Sequence, residues 1–232
     1  MTQLIAVVTG GGTGIGRAVA EELSRGGMRV RCLGMDADAD LPRELELVRA
    51  DVTSDDAVQA ALADLDTVAV LVNAAGIIRH EGREFTPEGF GDVIDVNLNG
   101  SQRLIAVLQE RLIASRGAVV NIASMWSFFG SAKNPAYATS KAGIVGLTRS
   151  YAVALASHGV RVNAVAPGWI RTRLSADALD DPVRSEAIMA RLPMRRWGAP
   201  EEVARVVRFL CSDESQYVTG VVLPVDGGFA VA

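Results

Sequence analysis

The chain has 232 residues, of which 49% are hydrophobic and 22% charged, and no Pro/Ser-rich linker divides it, so one domain over residues 1–232 with one substantial core is expected. A net charge of −4 with acidic and basic residues interspersed offers no basic stripe for nucleic acid and no polybasic segment for a membrane surface. No apolar stretch reaches the roughly 18 residues of a spanning helix, so a cytoplasmic protein facing a small molecule is the expectation. Cys32 and Cys211 lack Cys-x2-Cys spacing, and His80 and His158 lie in no metal-binding motif, which argues against a disulfide framework, a metal site or a serine hydrolase.

The first element is a Val- and Ile-rich run, Leu4 to Val8, followed by Thr9-Gly10-Gly11-Gly12-Thr13-Gly14-Ile15-Gly16 and a helical pattern from Arg17 to Arg25. That order reads strand, tight turn, helix. Glycines allow positive φ and close approach of a ligand, and free N–H groups at a helix start favour a phosphate or pyrophosphate. Apolar runs recur at Val30 to Leu33, Leu45 to Val48, Val68 to Val72, Ala118 to Ile122, Val160 to Ala166 and Val221 to Val225, most with helical patterns between them. Strands alternating with helices imply right-handed crossovers and an α/β fold with a parallel sheet covered on both faces. Ligands then collect beyond the carboxyl ends of the strands. The acidic run Asp36 to Asp40 reads as a solvated loop.

Tyr137 and Lys141 are four residues apart, which stacks a phenol and an ammonium on one helix face. A neighbouring cation favours the phenolate, so the pair is expected to exchange a proton nearer neutral pH than tyrosine alone. Ser124 lies thirteen residues earlier, just past an apolar run. On the same helix, Ala138, Ala142 and Gly146 form a small-residue stripe and Leu147, Tyr151 and Leu155 a bulkier one; one can face the sheet and the other a neighbour.

The spacing Gly-x3-Gly-x-Gly differs from the commoner Gly-x-Gly-x2-Gly dinucleotide fingerprint. Together with Asn73-Ala74-Ala75-Gly76, Asn97 in Asp95-Val96-Asn97, Ser124, Tyr137-x3-Lys141 and Pro167-Gly168, it occurs in the order seen in the short-chain dehydrogenase/reductase family, which this chain closely resembles from about Leu4 to Asp226-Gly227-Gly228. The resemblance implies a single-domain Rossmann-type, doubly wound seven-stranded sheet in the order 3-2-1-4-5-6-7, with a substrate lid at about residues 168–200. It implies Tyr137 as acid/base, Ser124 holding the substrate oxygen, Lys141 on the nicotinamide ribose and Asn97 holding a water of the proton path. By matching position, Gly10, Gly12, Thr13, Gly14, Ile15 and Gly16 cradle the dinucleotide, Asp51 and Val52 meet adenine, and Asn73, Ala74, Ala75 and Gly76 wall the adenosine ribose. Pro167, Gly168, Ile170 and Thr172 meet the nicotinamide. A homotetramer built from the Tyr137 helix and the preceding long helix, roughly Glu88 to Ser115, is also implied.

The slot where NAD-dependent members carry Asp holds Gly34, and the next, where NADP-dependent members often carry Arg, holds Met35. Asp36, twenty residues after Gly16, is placed to reach a ribose 2′-hydroxyl and to repel a 2′-phosphate, and position 13 carries no base, so NAD is expected over NADP. Trp126, Asn134 and Trp169 join Ser124 and Tyr137 as substrate contacts, with Met125, Phe128, Phe129, Met189, Leu192, Met194 and Trp197 available as apolar cover. Arg171 and Arg173 raise the idea of an anionic substrate, although arginine in this loop is more often a surface or packing residue. The reading is hydride transfer between NAD(H) and a small or medium secondary alcohol or ketone of polyol, sugar-derived or hydroxy-acid type. Its alternatives are an NADP-dependent 3-oxoacyl-thioester reductase, for which the basic 2′-phosphate site is missing, and a non-catalytic dinucleotide sensor, which the presence of Tyr137 and Lys141 disfavours.

Overall fold

A computed structural model describes residues 3–232; Met1 and Thr2 of the expected domain lie outside the described residues. Seven strands, β1 (Ile5–Thr9), β2 (Arg29–Gly34), β3 (Glu46–Arg49), β4 (Val70–Asn73), β5 (Ala118–Ile122), β6 (Arg161–Pro167) and β7 (Val222–Val225), form one all-parallel sheet in the order β3-β2-β1-β4-β5-β6-β7. This is the expected Rossmann-type domain. Alternate residues of each strand serve opposite faces. In β1, Ala6 and Val8 join a core with Ala18, Val19, Leu23, Val203, Val207 and Leu210, while Val7 joins a second with Leu104, Leu108, Leu112 and Leu155.

The first face is covered by α1 (Gly14–Arg25) and α8 (Pro200–Cys211), the second by α2 (Asp55–Leu62), α4 (Gly100–Ser115) and α5 (Pro135–Leu155). The sequence sets the starts of α2 and α8 locally. Ser54 accepts the Ala57 N–H at 3.2 Å before α2, and Glu202 accepts the Ala199 N–H at 2.9 Å at the start of α8, where Pro200 occupies the first helical position. Between β6 and α8 lie the short α6 (Ala176–Leu179) and α7 (Pro182–Arg191), the latter capped by Asp181.

The long helix expected over 88–115 is two helices joined by one π turn. The stretch α3 (Pro87–Ile94), capped by Thr86, passes through Asp95–Asn99 in π geometry into α4. A π turn inserts one extra residue and is frequent at functional sites; here it carries Asn97, which is buried. The two stripes on α5 divide as the periodicity allows. Leu147, Tyr151 and Leu155 pack into the second core, whereas Ala142 and Gly146 face outward, and a side chain at Gly146 would meet nothing within 4 Å.

Candidate active site

The carboxyl ends of β1, β2, β4, β5 and β6 open into a cleft of roughly 390 Å³. Its floor on one side is the glycine turn. Gly10 and Gly14 have φ of +65° and +52°, the left-handed region that favours glycine. A Cβ on Gly16 would stand 2.2 Å from the Gly10 carbonyl oxygen, and one on Gly12 2.3 Å from the Asp36 carbonyl oxygen, so those two glycines are demanded by the turn's own packing. Gly12 therefore does not line the cleft; Gly10, Thr13, Gly14, Ile15 and Gly16 do. Thr13 is the N-cap of α1, yet its side chain accepts no bond and the first turn holds no acidic residue. The helix start thus keeps uncapped N–H donors beside the cleft, the arrangement a dinucleotide's pyrophosphate requires.

The segment after β4 is locked to this turn. Buried Thr9 Oγ1 accepts the N–H groups of Ala74 and Ala75 at 3.0 Å each, which presses both residues on Gly10. Ala74, Ala75 and Gly76 line the cleft, as do Asp51 and Val52 after β3. Asp51 also accepts from the backbone and hydroxyl of Thr53, both at 2.8 Å. Asn73 departs from its expected place. Its amide turns into the core and donates to Asn121 Oδ1 at 2.9 Å, and Asn121 donates in turn to Thr148 Oγ1 at 2.9 Å, so it ties β4 through β5 to α5 and does not line the cleft.

At the other end stand Ser124, Tyr137 and Lys141, all buried and all lining the cleft. Ser124 ends β5's extension as the cap of a 3₁₀ turn, Met125–Ser127; its Oγ accepts the Trp126 N–H at 3.2 Å. Ser127 accepts the Ser124 N–H at 3.3 Å and donates to the Lys141 carbonyl at 2.7 Å, which fixes the serine loop to α5. Sequence reasoning missed Ser127. The Lys141 ammonium donates to the Ile122 carbonyl at 2.7 Å and lies 5.6 Å from the Tyr137 ring centroid.

The expected acidification of the phenol is reversed in the protein alone. Burial pushes the Tyr137 phenol up to about 12, with hydrogen bonding to Ser124 opposing and the Glu84 charge adding to the rise. Burial also holds the Lys141 ammonium down, at about 8. Desolvation penalises each charged form more than the two groups help one another.

Asn97, Asn134, Trp126 and Trp169 lie outside the cleft lining. The Asn97 amide is committed to protein partners. It accepts the Ile77 N–H at 2.8 Å and donates to the Ile77 carbonyl at 3.1 Å and to Ser140 Oγ at 3.0 Å, so the side chain positions the wall after β4. Asn134 donates to Glu84 at 3.4 Å. Trp126 and Trp197 each meet Trp169 edge-on, with centroids 6.5 and 5.6 Å apart. Of the expected apolar cover, Met125, Leu192 and Trp197 are buried in a packed cluster, while Phe128, Phe129 and Met194 are exposed.

Pro167, Gly168, Ile170 and Thr172 line the cleft opposite the glycine turn. A parallel bridge, Arg171 N–H to Gly198 carbonyl and Gly198 N–H to Trp169 carbonyl at 2.9 Å each, pins this segment. Arg171 does not line the cleft; Arg173 does, and pairs at 3.1 Å with Asp36. Besides Lys141, Arg79 is a cation that lines the cleft; it pairs with Asp92 at 3.1 Å and donates its backbone N–H to Glu84. Its only sequence signal was a base three residues after Gly76.

A polar hydroxyl, a phenol and an ammonium at one end of a cleft whose other end offers helix N–H donors suit hydride exchange with a nicotinamide dinucleotide, which supplies or accepts the hydride when bound. No helix among the described residues is long and apolar enough to cross a membrane, and no cluster among them could hold a metal ion.

Comparison with known proteins agrees with this geometry. The family model described as enoyl-(acyl carrier protein) reductase matches residues 10–230. The 2-dehydro-3-deoxy-D-gluconate 5-dehydrogenase of Bacillus subtilis is 37% identical over 97% of this chain and 93% of its own. A 3-oxoacyl-[acyl-carrier-protein] reductase of Chlamydia trachomatis is 35% identical over 97% of this chain and 96% of its own. Among solved structures, a candidate NAD(P)-dependent gluconate 5-dehydrogenase of Beutenbergia cavernae, with NADP bound at low occupancy, is 38% identical with a TM-score of 0.91 over 100% of this chain and 98% of that one. The gluconate 5-dehydrogenase of Burkholderia cenocepacia, in complex with NADP and tartrate, is 30% identical with a TM-score of 0.92 over 100% of this chain and 97% of that one. These neighbours carry NADP, which overturns the expectation of NAD over NADP drawn from Asp36 and the missing base at position 13. The chain belongs to the short-chain dehydrogenase/reductase family and is an NAD(P)-dependent oxidoreductase.

Proposed function

We propose that the chain interconverts a hydroxyl and a carbonyl on a sugar-derived acid, in the cytoplasm, with Tyr137 exchanging the proton, Ser124 holding the reacting oxygen and Lys141 holding the nicotinamide ribose. The observation that carries this reading is Arg79, a cation lining the cleft on the loop whose backbone shares Glu84 with Tyr137. The Arg79 Nε and Nη2 donate to Asp92, and Nη1 remains to meet a substrate carboxylate by a charge-assisted hydrogen bond. Relatives named for gluconates, one of them with bound tartrate, support an anionic hydroxylated substrate. Ser124 and Tyr137 act on the oxygen that gains charge in reduction, so their bonds strengthen toward the transition state. Asn97 serves by holding the Ile77 backbone.

The segment 168–200 acts as the lid over substrate, and the outward face of α5, with Ala142, Gly146 and highly exposed Val153, supports assembly into a homotetramer with α4. Light scattering on purified protein tests the assembly.

The activity test follows reduced-nicotinamide absorbance over a panel of aldonic acids and their oxo forms, neutral polyols and a 3-oxoacyl thioester, with both dinucleotides. Turnover of an aldonic or oxo-aldonic acid that falls about 10²- to 10⁴-fold in Tyr137→Phe is expected. Arg79→Met should raise KM for the acid and leave a neutral polyol unaffected. Preference for the neutral polyol or the thioester would overturn the sugar-acid reading.

A further inference from the structure

Three cations line the cleft: Lys141, Arg79 and Arg173. The first two belong to the end that holds Tyr137. Arg173 lies at the opposite end, where its Nη2 stands 3.1 Å from Asp36 Oδ2 and 3.6 Å from Asp38 Oδ1, joining the segment after β6 to the loop after β2.

That loop is held in place independently of Arg173. Asp38 N–H donates to the Gly12 carbonyl at 3.0 Å, the missing side chain of Gly12 leaves room for the Asp36 backbone, and Arg17 grips Asp38 at 3.2 Å together with Asp40 and Glu21. Arg17 is thereby saturated with carboxylates and lies outside the cleft lining. Asp36 and Arg173 are both largely exposed, at 68% and 61%, so their pair can exchange partners without disturbing the core.

In a dinucleotide-binding α/β domain, the acid about 20 residues past the glycine motif meets the ribose 2′-hydroxyl, and a 2′-phosphate at that place needs an arginine nearby. Asp36 lies twenty residues past Gly16, two beyond the end of β2, and without a counter-charge its carboxylate and that of Asp38 would repel a phosphate. Yet structural neighbours of this chain hold NADP. We propose that Arg173 is the cofactor-discriminating residue of this chain: it gives up its ion pair with Asp36 to bind the 2′-phosphate of NADP, and keeps that pair when the ribose carries a free 2′-hydroxyl. The specificity-determining base thus comes from the segment after β6, 137 residues from its acid partner, rather than from the end of β2 or from position 13.

The proposal rests on dinucleotide binding by the family and not on the sugar-acid reading, so either stands or falls without the other. Its test is titration calorimetry on the full chain at fixed ionic strength with NADP, NAD, adenosine 2′,5′-bisphosphate and adenosine 5′-monophosphate, comparing wild type, Arg173→Met and Asp36→Asn. Arg173→Met should weaken NADP and the bisphosphate about tenfold or more while moving NAD and the monophosphate less than about threefold. Asp36→Asn, which removes the competing carboxylate, should tighten NADP. Equal losses for NAD and NADP in Arg173→Met would make Arg173 a strap over the shared pyrophosphate and overturn the proposal. Unchanged NADP affinity in that variant would overturn it as well. Because Arg173 is exposed, melting temperatures of the variants are expected to match wild type, which separates a binding effect from misfolding.

Discussion

Glu84 and Tyr137 meet at the amino end of α5, where the fully buried carboxylate accepts the Tyr137 backbone N–H at 2.9 Å through Oε2 while Oε1 accepts the Arg79 N–H at 3.0 Å. Asn134 precedes α5 but gives it no side-chain cap. Glu84, 53 residues upstream, supplies that cap from a neighbouring loop, and places negative charge at the positive end of the helix carrying the acid/base tyrosine.

Glu84→Ala leaves the buried Tyr137 N–H and the half-buried Arg79 N–H without partners and is expected to cost about 2–6 kcal/mol, since each orphaned group costs about 1–3 kcal/mol. Urea unfolding would show it. The exposed neighbour Glu81, changed to Ala, should leave stability within about 0.5 kcal/mol. Equal, small effects at both positions would show that the buried carboxylate does not hold α5.

Lys141 makes the stability of the fold pH-dependent. Its folded value of about 8 lies below the ordinary 10.5, so between those values the unfolded chain binds more protons and stability rises with pH. The contribution approaches about 3 kcal/mol across that window, at about 1.36 kcal/mol for each pH unit between the two values. Tyr137 acts with the opposite sign from pH 10 upward, where its raised value makes the folded state hold the proton longer. Chemical denaturation from pH 7 to 10 should therefore show wild type gaining stability relative to Lys141→Met as pH rises. A constant difference between the two would contradict the burial of the ammonium.

The glycines of the turn should separate by mechanism. Gly16→Ala places a Cβ 2.2 Å from the Gly10 carbonyl oxygen and should prevent normal folding of the turn, with loss of dinucleotide binding. Gly14→Ala meets only Thr172, at 3.4 Å, but holds φ at +52°, so it should fold with a loss of about 1–2 kcal/mol from the left-handed backbone. Circular dichroism melts of the two variants distinguish the cases; similar melting points would refute the assignment.

The buried chain from Asn73 through Asn121 to Thr148 predicts a graded series. Asn121→Ala removes one of the two acceptors of the Asn73 amide, which keeps only the Ser101 carbonyl at 3.3 Å, and leaves a cavity, for an expected loss of about 2–4 kcal/mol. Thr148→Val keeps the volume and strands only one Asn121 donor, for about 1–3 kcal/mol. Calorimetric melting tests the order, and a larger effect at Thr148 than at Asn121 would refute it.

The sequence by itself determined the sheet and the two ends of the cleft, because those depend on local, periodic features. Alternating apolar strands place Ala6 and Val8 opposite Val7, and the Gly10 to Gly16 turn, Ser124 after β5 and Tyr137 with Lys141 on one helical face are each encoded within a few residues. Tertiary structure alone decided what depends on contacts between distant segments. The capping of α5 by Glu84, the inward turn of Asn73, the use of Asn97 to clamp Ile77, and the pairing of Arg173 with Asp36 join residues from 20 to 137 positions apart. The direction in which the Tyr137 phenol moves was likewise beyond helical spacing, since i,i+4 geometry reports the neighbouring charge but not the burial that outweighs it.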